Sequence, residues 1–313
     1  MPIKMAVQMD PVNSLDPESD STVALLLEAD RRGHDIFYYL PQALSMRDGG
    51  IFAAGANLTV CPGADRPLAV AENHRVDLST MDVVLLRQDP PFDMAYISTT
   101  HMLERLQPET LVVNDPAHVR NAPEKLFVMD FSQFMPATLI TRDRDEISAF
   151  RKEFGDIIVK SLYGHGGAGV FRLTPGDENM TVLIELLEQA GPEPFVIQQY
   201  LPEIRDGDKR IILVDGKPVG TLNRIPAAGE ARSNLRVGGR AEPARLTARD
   251  LEICQAIGPE LARRGLIFVG IDVIGGRLTE INVTSPTGIC QISRFDNRNI
   301  AAMIWDAIEA RLV

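Results

Sequence analysis

Three oxygen-bearing side chains near the C-terminus have types and spacing that could support chemistry. Asp272, Glu280 and Asn282 lie in an otherwise apolar, β-branched stretch that is interrupted by Gly275-Gly276. The residues on either side of the glycines have strand composition, so the stretch predicts a β-hairpin. Glu280 and Asn282 are two residues apart and therefore point to the same face of their strand.

The length of the loop decides whether Asp272 joins this face. A two-residue turn at Gly275-Gly276 would place Asp272 opposite Thr279 and leave Glu280 on the other face. A three-residue loop with Gly276 in the left-handed conformation restores the shared face, and we therefore expect the longer loop.

A face with these three donors would suit a hard divalent cation. Mg²⁺ takes one or two carboxylates and completes its coordination with water and nucleotide phosphates, so the site needs no thiolate or imidazole. The alternative is an exposed hairpin face with ordinary polar residues, and the hairpin alone does not decide between the two.

A glycine-rich segment, Gly164-His165-Gly166-Gly167-Ala168-Gly169, matches the dinucleotide fingerprint G-x-G-x-x-G literally. That fingerprint needs a helix that starts inside the motif, whereas the residues from Val170 onward continue as a strand. A glycine loop between two antiparallel strands, with Lys160 on the strand leading in, can instead fold over phosphates with its backbone N–H groups. The alternative is a flexible turn without function.

Two further segments fit a nucleotide site. Residues Val196 to Leu201 form an apolar strand that ends in a connector, and such backbone can hydrogen-bond the edge of an adenine. Asp208-Lys209-Arg210 and Asn223-Arg224 flank the next predicted hairpin and would supply cations beside the metal face. Each segment alone is more typical of ordinary structure or of solvated charge.

The composition bounds the class of protein. The chain has 313 residues, 45% of them hydrophobic and 24% charged, which is ordinary for a globular protein with room for two domains. The net charge of -11 argues against a nucleic-acid surface, and no apolar run is long enough to span a membrane. Three widely spaced cysteines indicate reduced thiols rather than disulfides or a zinc site. We expect a cytoplasmic protein.

Strands and helices alternate through the first third of the chain, which predicts an α/β, doubly wound parallel sheet. We place a domain boundary at residues 120/121. The second part, residues 121–313, has α+β character, with the glycine loop between antiparallel strands. Its polar, glycine- and arginine-rich stretch, residues 225–240, has little to bury and is predicted to be a mobile lid.

The motifs together resemble those of the ATP-grasp ligases, and among them the bacterial glutathione synthetases. The resemblance spans nearly the whole chain and is carried by RQDPPFD (87–93), NAPEKLF (121–127), DGDKRIILVDG (206–216), RIPAAGEARSNLRVGGRAEP (224–243) and GLIFVGIDVIGGRLTEINVTSPT (265–287). It implies a Rossmann-like, substrate-binding pre-ATP-grasp domain at residues 1–120 and an ATP-grasp domain at residues 121–313.

The resemblance also implies roles for individual residues. It implies that Arg210 and Arg224 lie at the reacting carboxylate. It also implies that Asp272, Glu280 and Asn282 are the metal ligands. For ATP it implies Lys125, Lys160, Gly164, Gly166, Gly167, Gly169, Gln198, Gln199, Tyr200, Leu201 and Asp208. The available candidates for the substrate are Arg87, Arg232, Arg236, Arg240, Ser285 and Thr287.

The implied reaction joins γ-glutamylcysteine to glycine through an acyl phosphate, with Mg²⁺ (or Mn²⁺) and ATP and with release of ADP and phosphate. The resemblance further implies a homo-oligomer, a tetramer. Two positions depart from the family: Cys290-Gln291 stands where an Arg-Glu pair is usual, and Ser161 where Pro is common. The first leaves open a ligase for another substrate pair or a nucleotide-binding paralogue without activity. A dinucleotide oxidoreductase is the weakest alternative.

Overall fold

The computed structural model describes residues 2–61, 63–227, 229–230, 232–234 and 238–312. In chain order the strands of the first third are β1 (Lys4–Gln8), β2 (Asp35–Arg47), β3 (Gly50–Val60), β4 (Leu68–Asp77), β5 (Val83–Leu86) and β6 (Leu111–Val113). Its helices are α1 (Ser21–Arg31), α2 (Met94–Glu104) and α3 (Pro116–Arg120).

The N-terminal sheet has the order β4-β3-β2-β1-β5-β6. Strands β2, β1, β5 and β6 pair in parallel, which confirms the predicted parallel sheet. The strand order reverses between β1 and β5, so the carboxyl ends of these two strands border a crevice where α/β proteins commonly bind ligands. Strands β3 and β4 extend the sheet with antiparallel pairing, and the sequence pattern did not include them.

The second part of the chain builds two antiparallel sheets. Its helices are α4 (Glu124–Phe127), α5 (Arg144–Phe154), α6 (Met180–Ala190), α7 (Ala248–Arg263), α8 (Ile289–Asp296) and α9 (Ile300–Glu309). One sheet has the order β7-β10-β8-β9, with β7 (Thr138–Thr141), β8 (Ile157–Ser161), β9 (Val170–Leu173) and β10 (Phe195–Gln199). The other has the order β13-β12-β11-β14-β15, with β11 (Asp208–Val214), β12 (Lys217–Ile225), β13 (Arg240–Pro243), β14 (Phe268–Ile274) and β15 (Arg277–Asn282).

Each antiparallel sheet buries apolar side chains against helices. Ile147 of α5 and Ile184 of α6 pack with Ile157, Val159 and Ile197 of the four-stranded sheet. The five-stranded sheet packs through its own buried side chains against α7 on one side and against α8 and α9 on the other. Burial of these side chains is worth roughly 1.5–3 kcal/mol for each large aliphatic residue.

The last helix returns to the N-terminal sheet. The indole Nε1 of Trp305 in α9 donates a hydrogen bond to the carbonyl oxygen of Leu25 in α1 at 2.9 Å. The Arg32 guanidinium, just after α1, contacts Asp306 at 2.7 Å and Glu309 at 3.0 Å. The end of the chain therefore packs with its beginning, and the boundary at 120/121 stays a prediction.

The turn between β14 and β15 corrects the expected three-residue loop. Ile274 is opposite Arg277, so the turn has two residues, Gly275 and Gly276, with φ of 54° and 74°. The shared face is restored instead by a bulge, because the register shifts after Asp272 and leaves Thr279 as the extra residue. Asp272 is then opposite Glu280, so the two carboxylates share a face of the hairpin.

Candidate active site

A cleft between the two antiparallel sheets collects nearly all of the residues singled out in the sequence. Strands β8, β11, β12, β14 and β15, the glycine loop, the connector after β10 and the loop after β15 all contribute to its walls. The described lining includes Lys125, Lys160, Gly164, Gly166, Gly167, Gln198, Gln199, Tyr200, Leu201, Asp208, Arg210, Arg224, Arg232, Asp272, Glu280, Asn282, Ser285 and Thr287. Gly169 belongs to the loop but does not line the cleft.

Four charged side chains form a buried network on the cleft face of the five-stranded sheet. Strand register places Arg210 opposite Asp272 and Asp208 opposite Arg224. The Asp272 carboxylate accepts from Arg210 Nε at 2.6 Å and from Arg210 NH2 at 2.9 Å, and it contacts Arg224 NH2 at 2.8 Å. Arg224 NH2 also donates to Asp208. The two arginines are thus held over one carboxylate.

The pKa values of the two carboxyl groups in this network are shifted in opposite directions. Burial would raise the pKa of Asp272, but the charges of Arg210 and Arg224 outweigh burial and hold that pKa well below its usual range. For Asp208, burial dominates and, with repulsion from Asp272, raises the pKa to about 6, against the attraction of Arg224. Asp208 Oδ1 and Arg224 Nε are buried and have no hydrogen-bond partner among the described residues. The network therefore has bonding capacity left for a ligand.

Glu280 meets the two lysines. Its Oε1 lies 3.2 Å from Lys160 Nζ and 3.8 Å from Lys125 Nζ. Burial would raise the pKa of Glu280, but the two ammonium groups lower it, so the carboxylate is ionised. Lys125 is itself buried, and Glu280 and Glu124 raise its pKa against the effect of burial. The charge of Lys125 therefore stays in place at the end of the cleft where Glu280 lies.

The glycine loop joins β8 to β9, as expected. Gly166, Gly167 and Gly169 have φ of 62°, 84° and 68°, a region that residues with a Cβ rarely adopt. The Lys125 ammonium donates to the carbonyl oxygen of Gly164 at 2.5 Å, which ties the base of the loop to the cleft wall. The loop therefore borders the same cleft as Lys125 and Lys160.

The connector after β10 also lines the cleft. Gln198 Nε2 donates to the Thr138 hydroxyl at 2.9 Å, so this side chain stabilises the sheet. The N–H groups of Gln199 and Tyr200 donate to the carbonyl oxygens of Ala137 and Asp156. A base at this connector would therefore meet the remaining backbone groups of the segment rather than these two donors.

The predicted lid contacts two parts of the site. The Ser233 hydroxyl donates to Asp208 Oδ2 at 2.7 Å, and Arg232 NH1 donates to the carbonyl oxygen of Gly167 at 3.3 Å. Asn234 approaches Gly167 so closely that a Cβ there would lie 2.6 Å from its Oδ1. The lid segment 232–234 thus packs on both the glycine loop and the charged network.

The other arginines proposed to bind the substrate, Arg87, Arg236 and Arg240, are absent from the described lining of the cleft. Arg240 is largely exposed, pairs with Glu242 and does not line the cleft. Arg236 lies outside the described residues. Arg87 is buried beneath the cleft and links the end of β5 to the loop after β15, since its NH2 donates to the carbonyl oxygen of Pro286 at 3.0 Å. Arg87 NH1 has no hydrogen-bond partner among the described residues.

The two departures from the family pattern fall in different places. Ser161 lines the cleft at the start of the glycine loop. Cys290 is in α8, outside the lining, and its thiol donates to the carbonyl oxygen of Asp20 at 3.3 Å. Burial raises the pKa of Cys290 to about 11, which keeps the thiol protonated. Gln291 follows in the same helix and does not line the cleft either.

Sequence reasoning missed Glu124 and Ser233. Glu124 lines the cleft and pairs with Lys125, and its place directly before that lysine in NAPEKLF was an available signal. Ser233 lies between the lid arginines in RSNLR, where a hydroxyl carries no special signal. Its contact with Asp208 depends on how the chain folds back over the sheet.

The cleft face has donors that fit a divalent cation only in combination with a nucleotide. Among the described residues, no group of three or more His, Cys, Asp or Glu side chains is arranged to hold a metal ion. Asp272 and Glu280 nevertheless face each other, and Asn282 Nδ2 lies 3.4 Å from Asp272 Oδ2. Two carboxylates and an amide oxygen, completed by phosphate oxygens, fit the preference of Mg²⁺.

Comparisons with known proteins agree with this geometry. The family model described as the N-terminal domain of prokaryotic glutathione synthetase matches residues 3–120, and the model of its ATP-grasp domain matches residues 124–297. A glutathione synthetase from Brucella melitensis is 58% identical over 99% of this chain and 100% of its own length. One from Salmonella typhi is 45% identical over 99% of both chains.

Solved structures show the same fold at low sequence identity. D-cycloserine synthetase DcsG superposes with a TM-score of 0.67 at 17% identity and covers 99% of this chain and 100% of its own. D-alanyl-alanine synthetase A from Vibrio cholerae superposes with a TM-score of 0.61 at 14% identity and covers 100% of this chain and 99% of its own. On the matches of its two domain models and of its full-length relatives, the chain belongs to the prokaryotic glutathione synthetase family of ATP-grasp ligases.

Proposed function

We propose that this chain forms glutathione from γ-glutamylcysteine and glycine at the expense of ATP, which is released as ADP and phosphate. The observation that carries the proposal is the convergence of Lys125, Lys160, Arg210 and Arg224 on the Asp272–Glu280 face in one cleft. Such a set can stabilise the negative charge of a phosphoryl group and of a carboxylate in the same place.

The reaction has two steps. A carboxylate oxygen of γ-glutamylcysteine attacks the γ-phosphorus of ATP, the bond from that phosphorus to the bridging oxygen breaks, and ADP leaves. The amine of glycine, after losing a proton, attacks the acyl carbon, and the bond from that carbon to the phosphate oxygen breaks. The first step converts a poor electrophile into one with a good leaving group, so no covalent nucleophile of the protein is needed.

The side chains divide this work. Lys125 and Lys160 lie at Glu280 and would bind the transferring phosphoryl group, with the glycine loop folded over the phosphates. Arg210 on β11 and Arg224 on β12 lie two and three strands from β15, which carries Glu280. They would orient the donor carboxylate and stabilise the oxyanion of the tetrahedral intermediate. Asp272 positions both guanidinium groups through the bonds described above.

Asp272, Glu280 and Asn282 would hold Mg²⁺, or Mn²⁺, together with the phosphates. When bound, the cation neutralises charge on the β- and γ-phosphates and so favours attack at phosphorus. Because both Asp272 oxygens engage arginines, Glu280 and Asn282 are the more accessible donors of the three. The ligand set is a proposal that supports the function and does not carry it.

Residues 225–240 would act as a lid that keeps water from the acyl phosphate. The contacts of Ser233 with Asp208 and of Arg232 with Gly167 support this role, because they join the segment to both sides of the cleft. If bound ligands close the lid, cleavage within it by trypsin should slow when ATP and the dipeptide are added. Equal cleavage rates with and without ligands would contradict the lid.

The remaining expectations concern the location, the partners and the assembly of the chain. Within the described residues, no helix combines the length and apolarity needed to cross a membrane. A cytoplasmic location, the absence of a nucleic-acid partner and a tetrameric assembly remain part of the proposal. Sedimentation of the purified chain would test the assembly.

Incubation of the enzyme with ATP, Mg²⁺, γ-glutamylcysteine and glycine tests the function directly. We expect equal amounts of ADP, phosphate and glutathione, and no ADP in excess of peptide. AMP and pyrophosphate as products would overturn the mechanism. ATP binding without any turnover would indicate a nucleotide-binding paralogue.

A further inference from the structure

A small side cavity, the branch, adjoins the cleft beside the residues that would bind the transferred phosphate. It is lined by Pro90, Phe92, Ala122, Pro123, Glu124, Leu162, Tyr163, His165, Val283 and Thr284. Four of these residues, Pro90, Glu124, His165 and Thr284, also line the main cleft, so the two spaces adjoin each other. The volume of about 20 Å³ has room for one group of the size of a water molecule, a methyl or a thiol.

The walls of the branch are mainly apolar. The rings of Phe92 and Tyr163 have centroids 6.0 Å apart, and Leu162 and Ala122 are buried. None of the described residues that line it is Lys or Arg, and the Glu124 carboxylate is paired with Lys125. An anionic group that entered would lose its hydration without a Lys or Arg to replace it, and a cation would have to compete with Lys125 for Glu124, so the branch favours a small uncharged group.

The position of the branch restricts which part of a substrate can reach it. Glu124 directly precedes Lys125, and Thr284 is two residues after Asn282, so the branch adjoins the end of the cleft where the acyl phosphate forms. The connector residues 198–201, where a nucleotide base would lie, are absent from its described lining. The group that enters must therefore be attached close to the reacting carboxylate.

We infer that the branch is the subsite for the thiol-bearing side chain of the donor dipeptide, with Phe92 and Tyr163 as its specificity-determining residues. This inference rests on the proposed function. Glycine has no side chain to place there, and the γ-glutamyl end carries an ammonium and a carboxylate, which the apolar walls exclude. The CH₂–SH group is small, uncharged and one bond from the carbon that bears the reacting carboxylate. Sulfur next to aromatic rings is also a favourable contact.

The test compares donors that differ only at this side chain. For the unaltered enzyme we expect kcat/KM for γ-glutamyl-2-aminobutyrate, whose methyl replaces the thiol, to lie within about 10-fold of that for γ-glutamylcysteine. Adding bulk should cost much more, so γ-glutamylleucine should fall at least about 100-fold. Equal use of the cysteine and leucine donors by the unaltered enzyme would overturn the subsite.

Enlarging the branch should shift this ratio. Phe92→Ala should raise kcat/KM for γ-glutamylleucine relative to γ-glutamylcysteine by about 10-fold or more, while KM for ATP changes little. Tyr163→Ala removes the other aromatic wall and gives the same test if Phe92→Ala does not fold. Phe171→Ala is the matched control, because Phe171 is half-exposed on β9 and does not line the branch.

The outcomes separate the inference from the function on which it rests. If the unaltered enzyme makes no tripeptide from γ-glutamylcysteine and glycine, the proposed function fails. If it makes the tripeptide but the Phe92, Tyr163 and Phe171 variants all keep the parent ratio of leucine to cysteine donor, the function stands and the subsite is wrong.

Discussion

Two networks of charged side chains lie in different parts of the molecule, and each contains a carboxyl group whose pKa is shifted in a different direction. At the junction of α1 and α9, Glu28 accepts from Arg31, Arg32 and Asn299, and Arg32 also contacts Asp306 and Glu309. These contacts lower the pKa of Glu28 to about 2, chiefly through the Arg31 hydrogen bond. In the cleft, by contrast, burial raises the pKa of Asp208 to about 6, and buried atoms of Asp208 and Arg224 have no described partner.

The difference separates Asp208 from Glu28, whereas Asp272, whose pKa is lowered by its arginines, resembles Glu28. A carboxylate whose pKa is lowered by its partners contributes to stability at neutral pH, whereas one whose pKa is raised by burial costs stability when it ionises. Residues that cost stability are expected where a ligand later supplies the missing partners. Asp208 and Arg224 are therefore the part of the cleft network that a ligand would complete, and the α1–α9 network joins α1 to α9.

The largest expected effect comes from Glu280→Gln in the cleft. It removes the charge that meets Lys125 and Lys160 and one proposed oxygen donor to the cation, so kcat/KM should fall by roughly 100- to 1000-fold. The variant should still unfold in one cooperative transition and remain folded at pH 7 and 25 °C. Turnover at the parent level would remove Glu280 from the mechanism.

The same substitution at Glu28, in the network between α1 and α9, should lower stability and leave activity nearly unchanged. Glu28→Gln should lower the free energy of unfolding at pH 7 by about 1 to 3 kcal/mol, because charged hydrogen bonds to Arg31 and Arg32 are lost. The contribution of Glu28 is complete above its unfolded pKa of about 4.5 and disappears as the pH falls toward 2, so the difference from the parent should shrink over that range. Denaturant unfolding measures the free energy.

A matched activity assay completes the Glu28→Gln test. At 25 °C its kcat/KM should stay within about twofold of the parent, because Glu28 does not line the cleft. A variant that lost turnover but kept its stability would reverse the comparison between the networks.

The hairpin shows what the sequence could and could not predict. The common face of Asp272 and Glu280 followed from the chemistry of the residues, but the route to it was wrong, since a two-residue turn and a bulge at Thr279 replace the longer loop. A three-residue loop and a two-residue turn with a bulge both place Asp272 and Glu280 on the same face of the hairpin. The alternation of side chains along a strand therefore does not distinguish between them. Asp48-Gly49, with φ of 51° and 86°, turns β2 into β3 and was a readable signal that the alternating pattern did not include.

The contacts inside the site were less accessible to sequence reasoning than its members. The motifs identified Arg210, Arg224 and Asp272 individually. The Arg210–Asp272 ion pair joins residues 62 positions apart and depends on the register of β11 with β14. Burial of Arg87 under the cleft likewise depends on the loop that carries Pro286. Local pattern cannot supply such long-range geometry, because the partners lie on different elements.

The smallest expected effect concerns the pH dependence of Asp208→Asn. The folded pKa of about 6 lies above the usual value of 3.8, so the folded parent binds more protons than the unfolded chain between about pH 4 and 6 and loses stability as the pH rises through that range. The amide cannot ionise and can still accept from Ser233 and Arg224. Relative to the parent, the variant should gain on the order of 1 kcal/mol from pH 4 to pH 6.

Thermal melts of both proteins, free of nucleotide and metal, measure this difference. A melting-temperature difference that stays constant between pH 4 and pH 6, or that falls, would show that ionised Asp208 is fully compensated in the free enzyme. The contrast with Glu28 would then disappear.

Transfer of ¹⁸O from the donor to phosphate tests the central claim most directly. The dipeptide is prepared with ¹⁸O in the carboxylate of its cysteine residue and is incubated with unlabelled ATP, Mg²⁺ and glycine in unlabelled water. If the cleft forms an acyl phosphate, each turnover moves one labelled carboxylate oxygen into inorganic phosphate and leaves the other in the new peptide carbonyl. Phosphate without ¹⁸O, or ¹⁸O in AMP, would contradict the account.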